Sequence, residues 1–141
     1  DARQRLALAG TLHSAHLVLS ALTTAAVYAA QLEDSFLLAS SAAATGVAGM
    51  AMMRARAAGQ SSSDVPAQRY SSLTGLLVVL AVIVSATVLN MRRRDAPACP
   101  VYLTACVPVH LFGIAPCVIG RGASTRLQAA FDSARGGAKR K

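Results

Sequence analysis

Charge is what this sequence has least of. Only 14% of its 141 residues are Asp, Glu, Lys or Arg, against about 25% in an average soluble protein. Acids are the scarcer sign, six against 14 bases, and lysine appears only as Lys139 and Lys141. Cysteine is limited to Cys99, Cys106 and Cys117; an odd count without CxxC spacing supplies neither a disulfide framework nor a metal knuckle. There is no glycine-rich phosphate loop, no HExxH and no nucleophile elbow, so hydrolytic and phosphoryl-transfer chemistry lack their residues. No Asp, Glu, Lys or Arg falls in the middle of a long apolar run. A proton-translocating ring subunit, its stator and most pumps require such a group. No catalytic residue and no metal site is expected.

Hydrophobic residues make up 54% of the chain, more than a soluble chain this short could hide in one core. The charges sit in clusters separated by uncharged stretches, which is the pattern of a membrane protein. Four apolar runs stand out, at 6–30, 36–53, 73–91 and 101–119. The first follows Arg3 and Arg5 and ends at Gln31, Glu33 and Asp34. The second, rich in Ala, Ser and Gly, closes on Arg54 and Arg56 and lies near the lower length limit of about 17 residues for a crossing. Residues 57–70, with Ser61, Ser62, Ser63, Asp64 and Pro66, read as a solvated linker. The third run, centred on LLVVLAVIV, is the most hydrophobic; its length argues for a membrane helix over a buried strand. The fourth carries Pro108 and Pro116, which predict a kink. The tail 121–141 is basic: Thr125 and Gln128 have capping-box spacing, Leu127, Ala130, Phe131 and Ala134 share a helical face, and Gly136–Gly137 would end the helix. The expected fold is therefore an all-α integral membrane protein in a single domain. Four transmembrane helices form an up-down bundle, the fourth proline-kinked, followed by a short amphipathic basic C-terminal tail on the membrane surface.

With four crossings both termini share one side. That side holds Arg3, Arg5, Arg54, Arg56, Arg69, Arg121, Arg126, Arg135, Lys139, Arg140 and Lys141, against Arg92, Arg93 and Arg94 opposite. With three crossings the bias would be weaker and reversed, so the positive-inside rule favours four, with both termini cytoplasmic or in the matrix. A pI near 10.5 is a nucleic-acid signature elsewhere; bases at the ends of apolar runs are better read as topology signals, and no nucleic-acid partner is expected. Tyr28, Tyr70 and Tyr102 each lie near an expected helix end, where tyrosine rings sit at the membrane–water boundary.

Two constellations are candidates for function. In the second run, Ser41, Thr45 and Gly49 recur every fourth residue beside Gly46; such small-residue rows let helix backbones approach closely, on the protein's own helices or on another subunit. His13, His16 and His110 are the titratable groups well inside the runs, apart from cysteines and Tyr28. His16 or His13 with His110 could ligate a haem b iron; neutral histidines bonded to a backbone carbonyl or serine, or bridging helices, are the commoner arrangement. Arg121, Arg126, Arg135, Lys139, Arg140 and Lys141 suit an anionic lipid surface, including cardiolipin. A cleaved organellar presequence fits a chain beginning at Asp1, and so does a mature domain trimmed otherwise. The expected role is a non-catalytic accessory subunit of a multi-subunit membrane complex, a respiratory complex or ATP synthase of the mitochondrial inner membrane, with both termini in the matrix and other membrane subunits as partners. The alternatives are a haem b-binding electron-transfer anchor and a small oligomeric transporter or channel.

Overall fold

A computed structural model describes residues 1–29, 35–94, 100 and 102–138. Glu33, Asp34 and Cys99, and the tail cations Lys139, Arg140 and Lys141, lie outside the described residues. The elements are α1 (Ala2–Ala29), α2 (Ser35–Gln60), α3 (Val65–Arg93), a π-helical turn (Tyr102–Cys106), α4 (Val107–Phe112) and α5 (Ile114–Ala138). Among the described residues there is no strand. Four helical stretches are long and apolar enough to cross a membrane: α1, α2, α3 and the segment Tyr102–Gly136, with α3 the most hydrophobic. At 1.5 Å per residue, the 28 residues of α1 extend about 42 Å, beyond the ~30 Å of a hydrocarbon core.

Three boundaries differ from the sequence expectation. The linker 57–70 is mostly helical: α2 runs on to Gln60 and α3 already starts at Val65. Pro66 occupies the first turn of α3, where its missing N–H costs nothing, so the proline marks a helix start and not a loop. The fourth run is subdivided. A π-helical turn precedes Pro108, and Gly113 separates α4 from α5; the absent amide hydrogen of Pro108 interrupts the regular ladder there. The tail is no separate surface helix, because α5 continues unbroken through it to Ala138. Thr125 does not cap: its hydroxyl donates to the Arg121 carbonyl one turn back (3.0 Å). Gly136–Gly137 does not end the helix within the described residues. Tertiary contacts hold this segment, since Ala123, Ser124 and Leu127 are buried.

α1 packs on α2 and α5, and α3 packs on the same two, closing a ring of four. Neighbours are antiparallel by register. Ser20 meets Thr45 while Gly10 meets Ala55, and Tyr70 meets Pro116 while Ala67 meets Ser124. Leu6 of α1 shares a cluster with Leu127 and Phe131 of α5, so both ends of the described chain lie at one end of the bundle. Buried positions follow a seven-residue repeat: 37, 41, 44, 48, 51, 55 and 58 on α2, and 67, 70, 74, 77, 81, 84 and 88 on α3. That spacing is the seam of left-handed helix packing.

Candidate functional site

Polar rings are among the largest side chains buried in the bundle. His13, His16, His110 and Tyr70 are all at most 2% exposed. His13 and His16 fall on the inward face of α1, within the series Leu6, Ala9, His13, His16 and Ser20. Tyr70 enters from α3 and His110 from α4. Room for the rings comes from α5 and the turn before it. A Cβ placed on Gly113 would collide with the His16 ring, and one on Gly120 with the Tyr70 phenol. Glycine is required at both positions by close approach, not by backbone conformation. Gly113, Cys117, Gly120 and Ser124 line one face at the same seven-residue spacing, all buried.

The rings form a chain across the interior. Tyr70 donates its hydroxyl proton to the Pro116 carbonyl (3.1 Å). It also lies 3.0 Å from His13 Nε2. With its single proton on Pro116, Tyr70 accepts from His13 Nε2–H, which leaves His13 Nδ1 as a lone pair without a partner. The two rings meet edge to face, with centroids 5.8 Å apart. His16 stands one helical turn further along α1 and meets His110 at 6.0 Å between centroids, the planes at 89°. His110 Nε2 is 3.1 Å from Ser41 Oγ on α2. Among the described residues neither ring nitrogen of His16 has a hydrogen-bond partner.

A second polar link joins α1 to α2. Thr45 donates to the Ser41 carbonyl (2.9 Å), so its hydroxyl oxygen accepts from Ser20 (2.7 Å). Among the described residues no group of three or more His, Cys, Asp or Glu side chains could hold a metal ion. Cys106 and Cys117 are buried free thiols, and Cys117 donates to the Gly113 carbonyl (3.2 Å).

Of the two pairings the sequence offered, the structure brings His16 and His110 together, while His13 lies against Tyr70. Ser41 and Thr45 face this protein's own α1 and α4, and Gly49 approaches Leu17 of α1. Gly46 differs: it is exposed, with open space around it. Arg121, Arg126 and Arg135 are exposed along α5, and Arg135 forms a two-pronged ion pair with Asp64 (2.9 and 3.2 Å). Two tyrosines depart from the expected boundary placement. Tyr28 is 72% exposed, but Tyr70 and Tyr102 are fully buried. Tyr70 is interior because α3 begins five residues before it. The signal that could have revealed it is the Gly113–Cys117–Gly120–Ser124 row, which leaves a slot that only large rings from neighbouring helices can fill. Compared with known proteins, the chain matches no family model, no curated protein and no solved structure.

Proposed function

We propose that the chain is an integral membrane protein whose four helical stretches cross the bilayer, the fourth kinked at Pro108 and Pro116. In this reading it serves as a non-catalytic accessory subunit of a multi-subunit membrane complex. The observation that carries the proposal is the contrast between inside and outside. Large apolar side chains, among them Leu22, Phe36, Met53, Val82 and Val118, are exposed on every helix, while His13, His16, His110 and Ser41 are buried in the interior. An outer surface of that kind requires hydrocarbon or partner helices around it. Ala39, Ala42, Ala43 and Gly46 leave α2 with an exposed small-residue face, suited to close packing of another subunit. The compartment we propose is the mitochondrial inner membrane, with the arginine-rich end and both termini in the matrix and a respiratory complex or ATP synthase as host. Its support is the small size, the absence of a catalytic constellation in the sequence, and basic residues matched to an anionic surface. Gentle detergent extraction, native sizing and identification of comigrating proteins test this role. A lone monomer or homodimer sinks it, as does solute flux in liposomes holding this chain alone.

A second reading, haem b ligation by His16 with His110, draws on one observation: the buried His16 ring faces His110 with both nitrogens unpartnered. His13 suits the part less, because Tyr70 already engages its Nε2. Haem also requires α1 and α4 to part, since they are in contact and His16 rests on Gly113. A Soret band in the purified protein, lost in His110→Ala, supports this reading; a colourless preparation removes it.

A further inference from the structure

Between α2 and α3, near the arginine-rich end, lies an open groove of about 810 Å³ lined by Met50, Met53, Arg54, Arg69, Leu73 and Leu76, with Ala57 and Ser72 completing it. We propose that this groove seats an anionic phospholipid, its phosphate between Arg54 and Arg69 and an acyl chain along Met50, Met53, Leu73 and Leu76.

The lining is graded in the right direction. α2 runs toward the arginine-rich end and α3 away from it. Arg54, Ala57 and Arg69 therefore lie toward that end, and Met50 and Leu76 nearest the middle of the bundle. A phospholipid has the same order, charge at the boundary and hydrocarbon inward. The two guanidinium groups are uncommitted. Arg56 donates to Ser14 (3.1 Å) and Arg135 is paired with Asp64. Among the described residues Arg54 and Arg69 have neither an acid nor a hydrogen-bond acceptor. Guanidinium forks match phosphate oxygens in two-pronged hydrogen bonds. A second groove serves as an internal contrast. It holds about 430 Å³ between α1 and α2, is lined by Ala21, Thr24, Tyr28, Leu38 and their neighbours, and has no basic residue. Of these two grooves, the first combines an apolar trough with unpaired positive charge.

The inference rests on the membrane reading above, and the experiment separates the two. The full chain, purified in a neutral detergent, is titrated with phosphatidylglycerol, phosphatidylcholine or inorganic phosphate, and adducts are read by native mass spectrometry. The expected result is a one-to-one phosphatidylglycerol adduct. In Arg54→Gln/Arg69→Gln its affinity falls roughly thirtyfold, from the usual contribution of two basic residues at an anionic surface. Arg121→Gln/Arg126→Gln retains it. Leu76→Trp, which fills the trough and keeps both arginines, weakens it as well. Equal binding of phosphatidylcholine, or equal losses in the two arginine pairs, overturns the proposal, as does inorganic phosphate competing at the same concentration. Alkaline carbonate washing of membranes carrying the wild-type chain checks the other premise. A chain that stays in the membrane yet forms no adduct sinks the groove alone; a chain released into the supernatant sinks both.

Discussion

α1 is held on its two sides by opposite devices. Against α2 the seam uses small residues: a Cβ at Gly10 would stand 3.7 Å from the Ala55 methyl and 3.2 Å from Arg56 Cγ, and Gly49 of α2 lies against Leu17, while Ala44, Ala48, Ala51 and Ala55 of α2 are buried. Backbones approach closely and the polar contribution is the Ser20–Thr45 link. On the other side the rings of His13, His16 and Tyr70 are large, and Gly113 and Gly120 give way to them. Both solutions exclude voids, which is the general requirement of a packed interior. They differ in tolerance. An alanine seam offers many equivalent contacts of modest worth, whereas a ring seated on a glycine has one arrangement and no slack.

That contrast is broken or sharpened by a graded set of substitutions, each followed by thermal loss of the monodisperse detergent-solubilised protein. The largest expected effect is Gly120→Ala, a destabilisation of about 1–3 kcal/mol from overpacking against Tyr70. Adding Tyr70→Phe relieves part of the overlap, so the double variant loses less than the sum; strict additivity removes the ring-on-glycine account. Gly46→Ala on the open face of α2 serves as the control and stays within about 0.5 kcal/mol of wild type. Next is Tyr70→Phe alone, which strips His13 of its bonded partner and costs about 1–2 kcal/mol. Ser20→Ala on the alanine side costs less, near 0.6 kcal/mol, the average for a hydrogen bond between membrane helices. A loss equal to that of Tyr70→Phe would erase the distinction between the two seams. The smallest effect belongs to Arg135→Ala. Its ion pair with Asp64 is partly exposed, 62% and 27% by side chain, so the change is below about 0.5 kcal/mol and disappears in high salt.

Much of the architecture was legible residue by residue. The uncharged stretches marked four helical segments, and the density of Leu, Val and Ile in the third marked it as the most hydrophobic. His16 and His110 were visible as two histidines near the middle of their runs; the edge-to-face meeting of their rings was not. The boundaries were harder, for a local reason. Ser61, Ser62, Ser63 and Pro66 have loop chemistry, yet a single turn of chain suffices between α2 and α3, and Pro66 fits the first turn of the next helix. In the tail the capping-box spacing of Thr125 and Gln128 promised a fresh helix start; with α5 already helical upstream, Thr125 bonds back to Arg121 instead.

What the sequence by itself determined is that four long apolar helical segments exist, because hydrophobic length and the placement of charges are local properties of a segment. What only the tertiary structure decided is which face of each helix turns inward and which polar groups meet there. Leu22 and Val82 point out while Leu6 and Val84 point in, and no apolar stripe separates them. If lipid surrounds the bundle, an outward leucine gains as much as an inward one, so periodicity of hydrophobicity carries little information about orientation. The inward faces are chosen by shape and hydrogen bonding, by glycines that admit rings and by hydroxyls that find partners. Those choices exist only once the helices are side by side.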